Sequence, residues 1–481
     1  MAGLSSSFIN WKLAAESTTP ETQSLILDFL NAVPSAQALA GVEPTHGPVV
    51  DEPGVGYGDQ VRDYDIGVDV AQRILNKRAS LGGSFSSLTQ LAGIAYFGQD
   101  KFNDLLYSFA RIVHAITHIQ FNWHVGAHTN DALDIRRNHA SAAPTPSWRQ
   151  GVASLYADSP ACYAIDETRG NTLAIRVALR ANGLSGAYVR ALGGSRLGTV
   201  KERFVAFTAS GYSGYETFEL ENPTFHDHGV DIYNVTWRWQ WREHPGDPWR
   251  ELLLTRHRVY VVLRTPMGPW EQTGGSTSLP WTDALELACD WARGTTDATA
   301  AATRVTERYN ASGRVSYDTS SGATAYGSGT YQFTQMIDRL NGGVGLGEKV
   351  NCTDSANTVS TLANLLGCDL WQSRMGWGFD LNPLIAIGYS TWEVPFYGSF
   401  SYHEVGWTGG CTEHDRVFDG CLHVDGDTDP TSAPHTALLP VDMVFGNCST
   451  MDYRMRLCPP TSAGCSACVP QTTTRQRRAI V

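Results

Sequence analysis

The stretch VNCTDSANTVSTLANLLGC, residues 350–368, decides the fold of the C-terminal half of this sequence. It begins near a cysteine, Cys352, and continues with the spacing of an amphipathic helix. The apolar positions that share one face of this helix are Ala356, Val359, Leu362, Ala363 and Leu366. The dipole and the unpaired amides of a first helical turn favour a thiolate over a thiol. Cys352 is therefore the candidate nucleophile.

A base and an acid for this thiolate follow downstream. The run FSYHEVGW, residues 400–407, places His403 in a strand-like aromatic segment, and VFDGCLHVDGD, residues 417–427, carries several carboxylates. A thiolate nucleophile needs an imidazole to move protons, and the imidazole needs a carboxylate to orient it. We predict His403 as the base and Asp425 as the orienting acid. Asp419 takes that position if the strand register shifts.

The order cysteine, histidine, acid within residues 281–445 resembles the transglutaminase-like, papain-related superfamily. The matching residues are Cys352, Asp354 and Ala356 in the helix motif, His403 and Trp407 in the histidine motif, and Asp425 in the aspartate motif. The resemblance implies an α+β cysteine-hydrolase domain in which a thioester forms on the cysteine. Water as the acceptor then gives hydrolysis or deamidation, and an amine gives transfer or cross-linking. Protein amide or peptide bonds are the expected substrates.

Each of these residues also has a simpler interpretation. Cys352 could pair with one of the later cysteines or be an inert core thiol, and His403 could be a hydrogen-bonded core histidine. The acidic segment HVDGDTDP, residues 423–430, could be a solvated loop that binds a cation weakly. The Cys352 amide is the predicted oxyanion donor, with Gln332 or Trp377 as candidate side-chain donors. We expect neither a cofactor nor a metal in the catalytic site.

Glycine-centred helical spacing marks residues 57–109. This part resembles tandem helix-hairpin-helix repeats at Gly67, Ala71, Ile74, Arg78, Gly82, Phe85, Leu88, Leu91, Gly93, Ile94 and Gly98. The resemblance implies that hairpin turns and basic side chains hold a phosphate, yet acidic residues balance the basic ones here. We expect a structural or protein-docking role with weak or no DNA binding, and a nucleic-acid role is the alternative. The helical pattern continues over residues 110–120.

Alternation with a period of two marks the middle of the chain. In YNVTWRWQWR, residues 233–242, the residues on one face are Tyr233, Val235, Trp237, Trp239 and Trp241. The turn-forming EHPGDP and the apolar run LLLTRHRVYVVL, residues 252–263, then predict a hairpin of an antiparallel β-sandwich. We expect the tryptophan row in the core, with a carbohydrate platform as the alternative. Cys289, in the helical segment that follows, is expected to be an inert buried thiol.

Four cysteines lie in the last segment, residues 448–481. They are Cys448, Cys458, Cys465 and Cys468. Four thiols in this arrangement could hold a zinc ion or form two disulfides, and the spacing leaves both open. We expect the segment itself to be a flexible tail.

The whole chain has 481 residues, 42% hydrophobic and 17% charged, which is too long for one ordinary domain. We predict a multidomain α+β protein made of a domain of helical hairpin repeats (1–137), a linker (138–160), a middle antiparallel β-sandwich-like domain (161–268), a transglutaminase-like domain (269–447) and the tail (448–481). Thiol-dependent acyl transfer is the leading function, and a non-catalytic structural or adaptor protein of a larger assembly is the alternative.

Charge and hydropathy narrow the cellular setting. The formal net charge of −12 opposes non-specific attraction to nucleic acid or to anionic membranes. The first residues lack the charged and apolar pattern of a secretory signal, and no stretch reaches the apolar length of a bilayer span. We therefore expect a cytoplasmic protein.

Overall fold

The computed structural model describes residues 18–40, 66–123, 129–151, 156–327, 329–395 and 398–481. Its first α-helices are α1 (Pro20–Ala32), α2 (Ala36–Leu39), α3 (Val68–Ser80) and α4 (Gln99–Ala110). Helix α1 begins at Pro20 because the Thr19 side chain accepts a hydrogen bond from the Thr22 amide and proline has the φ of a first helical residue. The N-terminal part is therefore helical, and its core includes Ile26, Phe29 and Ile74.

The resemblance to helix-hairpin-helix repeats is not confirmed. Residues 57–65 of the matching stretch lie outside the described residues. Further on, Gly82 and Gly83 turn the chain with positive φ after α3, and a short 3₁₀ helix, Leu88–Leu91, precedes α4. The Arg78 guanidinium donates to the carbonyls of Leu30, Asn31 and Val33 at the end of α1. This cation is therefore used to cap a helix.

The predicted helix over residues 110–120 is wrong, because this segment is a strand. Strand β1 (Ile112–Gln120) reads IVHAITHIQ and pairs antiparallel with Ala174–Asn182. Its β-branched residues suit a pleated surface, and most of them are buried. The expected linker is also held by hydrogen bonds. Trp148–Arg149 pairs with β1, and the Arg136 guanidinium donates to the carbonyls of Asn138, His139 and Ser276.

The middle of the chain forms one continuous curled sheet of nine strands, where we expected a sandwich of two sheets. The strands after β1 are β2 (Trp148–Arg149), β3 (Pro160–Ala164), β4 (Ala174–Asn182), β5 (Gly186–Gly193), β6 (Thr199–Ala206), β7 (Tyr212–Glu221), β8 (Asp231–Arg242) and β9 (Arg250–Val262). The order of the strands in the sheet is β2-β1-β4-β7-β6-β5-β8-β9-β3, and only the β3–β9 pair is parallel. The predicted hairpin is confirmed as β8–β9, with Trp237 opposite Thr255. Trp237, Trp239 and Trp241 are buried, so the tryptophan row packs into the core as expected.

The C-terminal half is built around one completely buried helix. After α5 (Ile165–Thr168), the helices are α6 (Thr282–Trp291), α7 (Ala298–Asn310), α8 (Phe333–Leu340) and α9 (Cys352–Leu365). The strands are β10 (Ser316–Tyr317), β11 (Lys349–Val350), β12 (Trp371–Met375), β13 (Phe379–Asp380), β14 (Ile385–Ala386), β15 (Ser399–Phe400), β16 (His403–Trp407), β17 (Arg416–Phe418), β18 (Leu422–Asp425), β19 (Ala437–Leu438), β20 (Met443–Val444) and β21 (Pro470–Gln476). Every residue of α9 is buried, against α6, α7 and a five-stranded antiparallel sheet of order β20-β17-β16-β12-β21.

The expected flexible tail is an ordered part of this half. Helix α10 (Tyr453–Leu457) lies within it, a disulfide joins Cys448 to Cys465, and β21 pairs with β12 at the edge of the sheet. Cys458 and Cys468 are buried free thiols. Backbone pairing fixes the segment, since a sheet edge supplies donors and acceptors to an added strand. None of the helices in the described ranges is long and apolar enough to cross a membrane.

Candidate active site

Cys352 is the first residue of α9, as the sequence predicts. Asn351 caps the helix: its side chain accepts from the Asp354 amide at 3.1 Å, while the Asp354 carboxylate accepts from the Asn351 amide at 3.2 Å. This reciprocal pair fixes where the helix starts. Cys352 is only 3% exposed, and the amides of a first turn have no partner inside their own helix.

Asp354 also holds the loop that precedes the helix. Its carboxylate accepts from the Thr324 hydroxyl and from the amides of Ala325 and Tyr326, at 2.6 to 3.0 Å. Burial raises the pKa of Asp354, and these hydrogen bonds oppose that rise. The loop and the start of α9 are thus one rigid unit.

His403 begins β16 and is completely buried next to Cys352. Its Nε2 lies 2.9 Å from Oδ2 of Asp419. Within the described part of the chain, Nδ1 has no hydrogen-bond partner of standard geometry. Burial alone would lower the pKa of His403, but the charge and hydrogen bond of Asp419, followed by the Cys352 thiol, raise it to about 10. The ring is therefore the doubly protonated imidazolium at neutral pH, and Nδ1 is the nitrogen that can interact with the Cys352 thiol.

Asp419 is held from two further sides. Its Oδ2 accepts from the Tyr453 hydroxyl at 2.8 Å, and its Oδ1 accepts from the Cys421 amide at 3.0 Å. Burial opposes ionisation of this carboxyl, but His403, the Cys421 amide and Tyr453 outweigh it and lower the pKa of Asp419. The acid is therefore a fixed carboxylate beside the imidazole.

The assignment of Asp425 as the partner of His403 is corrected by this geometry. Asp425 ends β18, but its Oδ2 lies 2.6 Å from Nδ1 of His435, and its Oδ1 accepts from the Thr436 amide. The His435 ring in turn lies 4.8 Å from the Trp392 ring. Asp419 follows the end of β17, the strand that pairs with β16, and this pairing brings it to the ring. The alternative that the sequence left open is the observed one.

Two tyrosines at the site were not found from the sequence. Tyr453 lies 34 residues beyond Asp419, in the segment we expected to be flexible, so no local pattern connects the two. Tyr317 is buried beside the thiol: burial, followed by Cys352 and Cys421, raises the pKa of Tyr317 well above its usual range. Its hydroxyl therefore keeps its proton and can act as a donor.

Two aromatic side chains, Trp377 and Tyr402, lie near the start of α9. Trp377 is 60% exposed and its ring lies 6.4 Å from that of Tyr402, whose hydroxyl is 3.2 Å from Oγ1 of Thr353. Trp377, one of the two candidate side-chain donors, thus stands near the start of α9. Gln332, the other candidate, is an exposed residue that precedes α8.

One group of side chains in the described ranges could hold a metal ion. His403, Asp419 and Cys421 each offer a ligand atom within 4.8 Å of the other two, and all three are buried. Such a set suits zinc. Burial, followed by Asp419, raises the pKa of Cys421 well above its usual range, so binding would have to displace its proton. A metal here would compete with the His403–Asp419 hydrogen bond.

We expect Tyr453→Phe to lower the free energy of unfolding by about 1.5–3 kcal/mol, because a hydrogen bond to a buried carboxylate is lost. Tyr309→Phe is the matched control: its buried hydroxyl pairs with the neutral Ser355 at 3.1 Å, and about 0.5–1.5 kcal/mol is expected. Urea unfolding of the two variants and the parent measures the difference. An equal cost in both would contradict a charged Asp419.

The same variant should shift stability on the acid side. A carboxyl with a lowered pKa stabilises the fold above its unfolded value, about 3.9, and this contribution disappears as the pH falls through the folded value. Removing the Tyr453 hydroxyl raises the pKa of Asp419. The acid loss of stability should therefore be smaller in Tyr453→Phe than in the parent, and it should be complete at a higher pH.

The likeness of this chain to known proteins is distant and is found among solved structures. No family model matches the sequence, and a search of curated proteins finds no relative. Among solved structures, the chain is similar to a transglutaminase of red sea bream, with a TM-score of 0.31 and 11% identity. The match covers 56% of this chain and 50% of the other, so the chain spans about half the length of the protein it matches. A likeness this distant assigns no activity.

Proposed function

We propose that this chain is a thiol-dependent acyl-transfer enzyme with a catalytic triad of Cys352, His403 and Asp419. The observation that carries the proposal is the buried 2.9 Å hydrogen bond between His403 and Asp419, next to a cysteine at the first turn of a buried helix. A nucleophile, a base and a carboxylate that orients the base are the parts that acyl transfer through a thioester requires.

In the first step Sγ of Cys352 attacks the carbonyl carbon of an amide. The sulfur–carbon bond forms, the negative charge moves to the carbonyl oxygen, and the carbon–nitrogen bond then breaks. The His403 imidazolium gives its proton to the leaving nitrogen, and Asp419 keeps the ring in orientation throughout. The Cys352 amide, with the Tyr317 hydroxyl or the Trp377 indole, is the proposed donor set for the oxyanion.

In the second step an acceptor attacks the thioester. Neutral His403 takes a proton from the acceptor as it adds, and the thiolate leaves. Water as the acceptor gives a carboxylic acid, which is hydrolysis of a peptide bond or deamidation of a glutamine side chain. An amine gives a new amide and links two molecules. Protein or peptide amides are the proposed substrates, because the exposed Trp377 ring, beside the half-buried Tyr402, suits the apolar parts of a polypeptide.

We expect Cys352 to be the first cysteine alkylated by limiting iodoacetamide near neutral pH. Burial raises the pKa of Cys368 to about 12 and that of Cys411 to about 11, which leaves both as unreactive thiols. Cys352 instead has a protonated imidazole beside it, the counter-ion that a thiolate needs. Peptide mapping of the labelled protein by mass spectrometry identifies the reactive residue.

His403→Ala is the matched variant for this experiment, because it removes the counter-ion and keeps Cys352. Labelling of Cys352 should become about ten-fold slower or more. Earlier labelling of another cysteine in the parent, or equal labelling of Cys352 in the parent and in His403→Ala, would sink the proposed thiol mechanism and favour a binding protein.

A further inference from the structure

A second buried ion pair, between Glu404 and Arg478, lies beside the proposed catalytic residues. The Arg478 guanidinium meets the Glu404 carboxylate with two parallel contacts, Nη1 to Oε1 at 2.5 Å and Nη2 to Oε2 at 3.1 Å. The two side chains are only 1% and 0% exposed. A bidentate pair of this kind is geometrically strict, and a buried charge without its partner is strongly destabilising.

This ion pair touches the nucleophile helix. Glu404 accepts a hydrogen bond from the Thr353 hydroxyl at 2.8 Å, and Arg478 donates to the Asn357 side chain at 3.0 Å. Thr353 and Asn357 are one turn apart on α9, so the ion pair is hydrogen-bonded to one face of the first turns of this helix. Thr353 directly follows Cys352.

It also touches the strand that carries the base, because Glu404 directly follows His403 on β16. A further cation faces the carboxylate: Arg374 on β12 lies 3.4 Å from Oε2 of Glu404, and its guanidinium also lies 4.1 Å from the centre of the Tyr402 ring. Arg374 is about a quarter exposed, so its contact is the more solvated of the two. Arg478 is therefore the main buried counter-charge of Glu404.

Backbone contacts hold Arg478 in place from both sides. The Arg478 amide donates to the Gln372 side chain at 3.1 Å, next to the β12–β21 pairing. On the other side, the Tyr331 amide donates to the Ala479 carbonyl and the Val481 amide donates to the Tyr331 carbonyl. The guanidinium is thus presented to Glu404 by a segment that is itself fixed, which is what precise orientation of a site needs.

We propose that Glu404 and Arg478 are positioning residues that set the distance between Cys352 and His403. The pair connects the residue after the nucleophile to the residue after the base, and Arg478 compensates the charge of the Glu404 carboxylate beside both of them. Loss of Arg478 leaves a buried carboxylate close to a thiol that must carry negative charge, and the start of α9 moves away from β16. This proposal rests on the catalytic role of Cys352.

The test compares iodoacetamide labelling of Cys352 across a pH series in parent, Arg478→Met and Arg475→Met. Arg475→Met is the matched control, because Arg475 lies in the same segment but is exposed, and its replacement removes the same charge. A displacement of about 1 Å can cost about 100-fold in rate, and we expect about 10- to 100-fold slower labelling at pH 7 in Arg478→Met. Arg475→Met should match the parent, and Arg478→Lys should recover part of the rate.

A double variant covers the case in which Arg478→Met does not fold. Arg478→Met with Glu404→Gln removes both completely buried charges and leaves only the partly exposed Arg374 without its carboxylate, so the protein should fold. Labelling of Cys352 should still be slow, because the hydrogen bonds that Glu404 and Arg478 make to Thr353 and Asn357 are weakened or lost. A folded double variant with the parent's rate and pH profile overturns the proposal. If Cys352 of the parent labels no faster than the other thiols, the proposed function has failed instead.

Discussion

Cys352→Ala is expected to lower the rate of amide cleavage or transfer by about 10⁴-fold or more while the protein stays folded. Removal of the sulfur removes the covalent path, and only binding and oxyanion contacts remain. Ammonia release from a glutamine-rich protein, with peptide cleavage and primary-amine incorporation read in parallel, measures all three outcomes of the chemistry.

Cys289→Ala is the control for this variant. Cys289 is also a completely buried thiol on a helix, and its sulfur contacts the Val261 carbonyl at 3.8 Å. This variant should cost some stability and leave the activity per folded molecule unchanged. Full activity in Cys352→Ala, with the parent active, would remove the thioester from the mechanism.

Asp419→Asn is expected to lower turnover about 10³- to 10⁴-fold, because an amide in this position stabilises the wrong tautomer of the histidine and cannot support its cation. Asp425→Asn, a matched change six positions along, should stay close to the parent, since Asp425 pairs with His435. Steady-state kinetics of both variants at pH 7 decide between the two acids. Loss of activity in Asp425→Asn alone would return the acid to the position predicted from the sequence.

The pH dependence of stability gives Asp419→Asn a second readout. A histidine whose pKa is raised in the fold stabilises it fully below its unfolded value near 6.5, and this contribution is lost as the pH rises through about 10. The substitution removes the carboxylate charge that raises the pKa of His403. The cost in unfolding free energy should therefore be largest at about pH 5 to 6.5 and shrink as the pH rises from there to about 10.

The positions of Cys352 and His403 could be predicted because each lies in a local pattern. The cysteine precedes a helical spacing that capping residues confirm, and the histidine opens an aromatic strand. The acid could not be chosen with the same certainty. Asp419 and Asp425 are six residues apart, and only the pairing of β17 with β16 determines which of them reaches the ring.

Long-range contacts account for the other differences. The segment 110–120 has apolar spacing compatible with a helix, but the open edge beside β4 makes it a strand. Residues 448–481 have the polar, proline-containing composition of a loop, yet Tyr453 and Arg478 are buried there. Their partners, Asp419 and Glu404, lie 34 and 74 residues away along the chain, so no local motif connects them. Sequence periodicity reports on neighbours along the chain and not on such pairings.

The placement of Arg478 has a consequence for synthesis on the ribosome. Cys352 and His403 leave the exit tunnel well before residue 478, but the strand β21 and the guanidinium that neutralises Glu404 emerge only after it is translated. Until then Glu404 lacks its main counter-charge and the edge of β12 is open. If Glu404 and Arg478 have the proposed positioning role, the nascent chain holds the proposed nucleophile and base without their final alignment until β21 and Arg478 have joined the sheet, and we expect the thiol to react only after that.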